Sequence, residues 1–213
     1  MGEGFREFYL NPRYSDLKIT CDGQTFPAHR VVVCSNSSYF AAACSDKFAD
    51  GAAQEISITG FSPLQVKIML QCLYMGYYTI KDEDVDVAAL AVFGATKSLY
   101  RGITQRERIV IFHAQMYGVG ACFQSRRLKF IAEQSFSDTF RQIKTVEAFT
   151  AAVEVIYSTT PESDRGLRKI VVQNMMDNNK GFDKVIGEVP KFATDLLISA
   201  LCRIRRINES SRW

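Results

Sequence analysis

The chain predicts an α+β fold in which short strands mixed with helices give way to helices alone. Three observations carry this. Residues 17–21, Leu-Lys-Ile-Thr-Cys, alternate apolar and polar and run into Asp22-Gly23, a strong two-residue hairpin signal. Ser62-Pro63 opens a stretch in which Val66, Met69, Leu70 and Leu73 fall at i, i+3, i+4 and i+7, the spacing of one buried helix face. The last third shows only helical spacing. An α+β domain followed by a helical extension accounts for that order.

The elements follow in sequence. Residues 17–21 form a half-buried strand, and Gln24-Thr25-Phe26 starts the strand returning from the turn. Pro27 has no N–H to donate, so it ends that strand or holds it at an edge. Residues 28–34 predict a short helix. Ser35-Asn36-Ser37-Ser38 offers N-caps for the next, which carries Tyr39, Phe40 and alanines 41–43. Gln54-Glu55-Ile56-Ser57-Ile58 is another alternating strand. The helix opened by Ser62-Pro63 is stopped by Gly76. Tyr77-Tyr78-Thr79-Ile80 is rich in strand formers, and residues 81–84 make a charged turn.

Val85, Ala88, Ala89, Val92 and Phe93 then keep helical spacing. A polar, basic link, 101–108, precedes a helix with Ile109, Phe112 and Met116 that ends at Gly118. A second helix covers about 121–136, with Phe123, Leu128 and Ile131. Val146, Phe149, Val153 and Ile156 form one further stripe. Thr160-Pro161-Glu162 caps another helix, with Leu167, Ile170, Val171 and Met175 inward. Phe192, Leu196, Leu197, Ala200, Leu201 and Ile204 form the last stripe. There are no internal repeats and no low-complexity tracts.

Composition narrows the function classes. A 213-residue chain with 47% hydrophobic residues can bury a substantial core, which argues against disorder. The net charge of +3 is too small for a generally basic nucleic-acid binder. The clearest basic cluster, Arg203, Arg205, Arg206 and Arg212, reads as a solvated tail, and no nucleic-acid partner is expected. Cys21, Cys34, Cys44, Cys72, Cys122 and Cys202 contain no C-x-x-C pair, which suits free thiols in a reducing compartment. The N-terminal MGEGFREFYL has no long apolar run, and no stretch approaches the roughly 18 apolar residues of a membrane span. The expectation is an intracellular protein, cytoplasmic or nuclear, with no membrane partner.

Reactive chemistry finds little support. No G-x-S-x-G elbow is present, and His29 and Cys34 share one short helix without a catalytic signature. Two isolated histidines, His29 and His113, and scattered cysteines do not supply a zinc set. Gly118-Val119-Gly120 follows a helical stripe rather than a strand, the wrong setting for a phosphate loop. Residues 82–86 lack the glycine and late glutamate of a calcium loop. No catalytic, cofactor-binding or metal-ligating residue is therefore assigned, and neither a cofactor nor a small-molecule substrate is expected. A small hydrolase or transferase, and a DNA-binding regulator using the C-terminal arginines, stand as rival readings.

His29-Arg30 remains. Asp16 sits just before the first strand and Arg30 just after its hairpin partner, so the hairpin folds the two ends together. An Asp16–Arg30 ion pair at its base is expected, as a structural lock or as the floor of a pocket.

Tyr14-Ser15-Asp16-Leu17-Lys18-Ile19, then Phe26-x-Ala28-His29-Arg30-Val31-Val32-Val33-Cys34, then Ser38-x-Phe40, resembles the BTB/POZ domain. Glu55-Ile56 resembles that family's third strand, residues 61–76 a helix ending in Leu73-Tyr74-Met75-Gly76, and His113–Val119 with Leu128 and Phe136 its late helix pair. The resemblance implies a BTB/POZ fold over residues 1–140, with an inserted link at about 81–108, and a helical extension over 141–213. Residues 156–168 look like the extension of filamentous-fungal BTB proteins.

The resemblance implies a non-enzymatic protein-interaction module that binds itself, as a homodimer or larger oligomer, or another protein. The alternative it implies is a substrate adaptor joining a cullin-type ubiquitin ligase. Cullin-binding members often carry an acidic residue in the third-helix region, where Met69-Leu70-Gln71-Cys72 has none. The residues matching the family's charged pocket are Asp16 and Arg30, with His29 beside them. Met69, Leu73, Tyr74 and Tyr117 are expected as exposed partner contacts.

Overall fold

The computed structural model describes residues 5–45, 55–90, 100, 102–178 and 183–210. Strand β1 (Leu17–Cys21) pairs antiparallel with β2 (Gln24–Ala28), Cys21 facing Gln24 across the turn. Asp22 and Gly23 turn the chain at φ of 46° and 74°, the two positive angles a type I′ hairpin requires. β3 (Glu55–Ile58) adds to the other side of β1 in parallel, giving the order β2-β1-β3. β2 is therefore an edge strand, which is where Pro27 is tolerated. Leu17, Ile19 and Cys21 alternate into the core from the central strand.

Two short helices follow the hairpin, α1 (Arg30–Asn36) and α2 (Ser38–Ala43). Ser37 caps α2 by accepting from the Phe40 N–H, and its hydroxyl donates onward to the Phe123 carbonyl at 2.6 Å. Helix α3 (Pro63–Met75) starts with a full capping box, Ser62 and Gln65 each accepting from the other's backbone N–H, and stops where Gly76 turns left-handed at φ 78°. Gln65 is fully buried. Its amide donates to Gln115, whose own amide donates to the Leu90 carbonyl.

Residues 77–80 are not a strand. The Thr79 N–H is taken by the Gln71 side chain at 3.0 Å and Tyr78 turns into the core, so local partners satisfy this segment where a ladder was expected. α4 (Val87–Leu90) begins the helical pattern predicted from Val85, while Val92 and Phe93 lie outside the described residues.

Helix α5 (Gln105–Cys122) begins inside the expected link and runs straight through Gly118 and Gly120. These glycines allow close approach. A Cβ at Gly118 would sit 2.8 Å from the Thr159 Cβ, and one at Gly120 2.7 Å from the backbone nitrogen of Lys129. They let α6 (Arg126–Thr139) and α7 (Val146–Thr159) close onto α5, so glycine serves helix packing here rather than helix termination. Phe123 caps the end of α5, and α6 starts after Ser125.

α8 (Gly166–Asn178) starts later than Thr160-Pro161-Glu162 suggests, because Thr160 instead receives the guanidinium of Arg168. α9 (Asp183–Glu188) and α10 (Pro190–Ser210) complete the chain. One apolar core runs from Leu17 to Phe192. Of the last predicted stripe, Phe192 is buried and Leu196 and Ala200 half-buried, while Leu197, Leu201 and Ile204 are exposed. α10 carries its second half beyond the body it packs on.

Candidate protein-interaction surface

His29 ties the N-terminal segment to α3. Its Nε2 lies 2.8 Å from the Arg13 carbonyl, which can only accept, so Nε2 carries the hydrogen. Nδ1 is then the acceptor in the neutral ring, and Tyr74 Oη donates to it at 2.7 Å while accepting the His29 backbone N–H at 2.8 Å. Burial pushes the Tyr74 phenol up to about 12, so it keeps this proton throughout the physiological range. Phe8 meets the imidazole edge-on at 5.4 Å between ring centres, and Tyr9 donates to the Lys67 carbonyl on α3. Every polar atom of the buried imidazole is thus spent on structure.

Asp16 and Arg30 meet at the hairpin base, through the Asp16 carboxylate and the main chain of Arg30. Asp16 Oδ1 accepts the backbone N–H of Arg30 at 2.8 Å, serving one of the first-turn N–H groups of α1 that have no partner within the helix. Asp16 is exposed and Arg30 half-buried, so this corner opens to the surface. Two exposed apolar side chains flank it: Tyr14 (72% accessible) and Val31 (67%), with Phe5 also exposed nearby in the chain. The Arg13 guanidinium lies 4.9 Å over the Tyr14 ring. Tyr14 holds a left-handed backbone at φ 63°, uncommon for a bulky residue.

The other predicted contacts are not on the surface. Met69, Leu73, Tyr74 and Tyr117 are all buried in the core. Apolar side chains on one face of a helix packed against neighbours leave water, and α3 and α5 are both enclosed. Tyr117 donates to Asp164 Oδ1 at 2.6 Å, and Lys129 pairs with Asp164 Oδ2 at 2.6 Å, a junction of α5, α6 and the loop before α8.

Sequence reasoning missed Glu107, although Thr104-x-x-Glu107 is a recognisable capping box. Its Oε2 accepts from the Thr104 N–H and hydroxyl, and its Oε1 from the Lys144 N–H, the Thr145 N–H and the Thr145 hydroxyl, all within 2.8–3.0 Å. One carboxylate thus joins the starts of α5 and α7.

No reactive constellation emerges at the candidate nucleophile or base. Burial lowers His113 to about 4, and its Nδ1 is bonded to Tyr78 Oη at 2.9 Å. Cys34 is pushed up to about 11, first by burial and then by Cys44, the opposite of an activated thiol. Among the described residues no group of three His, Cys, Asp or Glu could hold a metal ion, and no helix is long and apolar enough to cross a membrane.

Comparison with known proteins places the first part of the chain. Residues 5–99 match the model of the BTB/POZ domain. Kelch-like protein 24 of Rattus norvegicus is 26% identical over 141 residues, covering 66% of this chain and 22% of the relative. The Homo sapiens protein of the same name is 31% identical over 81 residues, 38% of this chain and 14% of its own length. The match thus spans less than a quarter of these relatives. The BTB domain of zebrafish PATZ1 aligns with 66% of this chain and 85% of its own at 15% identity and a TM-score of 0.39. Residues 5–99 of this chain are a BTB/POZ domain.

Proposed function

We propose that residues 1–140 act as a non-enzymatic interaction module that associates with a second copy of the chain, with 141–213 as a helical extension packed against it. The observation that carries this reading is the open corner at the start of α1. Tyr14 and Val31 are exposed beside Asp16 and Arg30, on the domain whose family consists of protein-interaction modules. An exposed aromatic and an exposed valine flanked by charges have the composition of an interface centre with a polar rim. The strained Tyr14 backbone supports the same reading, since such conformations concentrate at sites with a binding role.

Size-exclusion chromatography with light scattering tests it. The wild type should run above monomer mass at high concentration, and Val31→Arg with Tyr14→Ala should shift it to monomer without loss of helicity. A strict monomer at about 100 µM removes self-association, since interfaces weaker than that bind by less than about 6 kcal/mol. The second reading, a cullin adaptor, draws on the Kelch-like relatives and the family resemblance. A pull-down with a purified cullin N-terminal domain decides it, and no retention at about 50 µM removes it.

A further inference from the structure

Helices α8 and α10 lie side by side with a cleft of about 400 Å³ between them. Arg165 reaches Asp195 at 2.7 Å and Arg203 reaches Asp177 at 3.2 Å, so the two helices run in the same direction along its length. The lining combines two chemistries. Val172 and Met176 from α8 and Ile198 from α10 are apolar, whereas Arg165, Lys169, Arg203 and Arg206 are cationic. Among the described residues no carboxylate lines the cleft. The two acids beside it are already engaged, Asp195 by Arg165 and Tyr157 and Asp177 by Arg203 and Gln173. Lys169 and Arg206 are exposed and pair with no carboxylate among the described residues.

We infer that this cleft is a docking groove for an acidic amphipathic segment of a partner protein, separate from the BTB/POZ surface. Charge complementarity selects the occupant. Lys169 and Arg206, cations without a carboxylate partner among the described residues, beside an apolar floor call for carboxylates along the edges of the segment and aliphatic side chains beneath it. Lys169, Val172 and Met176 recur at helical spacing on one wall, so an occupant laid along it meets cation and apolar contact in alternation. The volume lies in the range of specific sites and far exceeds one phosphate. Nucleic acid fits poorly, because among the described residues no aromatic lines the cleft to stack a base and the chain as a whole carries only +3. A second copy of α10 fits poorly too, since it would set Arg203, Arg205 and Arg206 against their own kind.

Fluorescence anisotropy on the full chain tests this with a labelled synthetic helix of glutamates and leucines, about 14 residues long. A matching peptide with serine for leucine, inorganic phosphate, duplex DNA and phosphatidylserine vesicles complete the set. The Glu/Leu peptide should bind saturably and weaken with salt. Lys169→Glu with Arg206→Glu should reduce its affinity about tenfold or more, while circular dichroism and oligomer mass stay unchanged. The serine peptide should bind several-fold more weakly. The inference is overturned by absence of saturable binding, by equal binding of the serine peptide, by indifference to the double charge reversal, or by phosphate, DNA or vesicles displacing the Glu/Leu peptide. Self-association read at Tyr14 and Val31 is measured separately, so either reading can fail alone.

Discussion

Replacing Glu107 with Gln tests how the helices are joined. The carboxylate is almost wholly buried, which by itself would raise its pKa. Bonds from the Lys144, Thr104 and Thr145 donors outweigh that and hold it at about 2, against an ordinary 4.5. A difference of this size is worth about 3 kcal/mol of folding stability. Because the folded value is the lower one, the contribution is complete above pH of about 4.5 and disappears as pH falls through about 2. Glu107→Gln keeps the shape but turns an NH₂ toward backbone donors at one end. Urea unfolding at pH 7 should show a loss of about 3 kcal/mol, or roughly 6–12 °C in Tm for a chain of this size. Amide exchange should quicken at Lys144 and Thr145, whose N–H groups the carboxylate holds. Between pH 4.5 and 2.5 the wild type should lose stability more steeply than the variant. Parallel pH profiles, with a change below about 0.5 kcal/mol at pH 7, would refute the reasoning.

Three further outcomes follow from neighbouring contacts. Tyr74→Phe strands the buried His29 N–H and Nδ1, and should cost about 2–4 kcal/mol in chemical denaturation. Gly120→Ala drives a Cβ into the Lys129 backbone and should destabilise by about 1–3 kcal/mol, whereas Gly187→Ala in α9, with open space around it, should stabilise by about 0.5–1 kcal/mol; equal signs in thermal melts would count against the packing role. His113 is held neutral by burial down to about 4, so the unfolded chain takes up a proton first. Stability should fall between pH of about 6.5 and 4, and His113→Gln should flatten that limb, above the window in which Glu107 acts.

The early strands and α3 were legible because their signals are local. A turn dipeptide, a capping serine and an i, i+3, i+4, i+7 stripe all act within a few residues. The glycines of α5 were misread because their reason is tertiary. Gly118 and Gly120 look like helix stops until Thr159 and Lys129 are seen packed on them. Tyr77–Ile80 failed likewise, since Gln71 supplies the partner that a sheet would otherwise provide. The stripe at Met69, Leu73 and Tyr74 was read correctly as apolar and wrongly as exposed, because periodicity marks a face without saying what covers it. On α10 the reverse holds. Leu197, Leu201 and Ile204 continue an apolar pattern past the end of the core, and nothing in the spacing marks where burial stops.

The Asp16–Arg30 corner shows how core and surface are coupled here. The exposed Tyr14 follows directly on Arg13, whose carbonyl is held by His29 Nε2, and the other side of that ring is held by Tyr74. A surface side chain is thus positioned through two hydrogen bonds to one buried imidazole and through its tautomer. Loosening the buried end should therefore loosen the surface end before the fold is lost. Tyr74→Phe, assayed well below its melting temperature, should weaken self-association by light scattering although Tyr74 itself is buried. If association holds at wild-type strength while stability falls as expected, the corner is positioned by the Asp16 contact to α1 alone, and the His29 link serves only the fold.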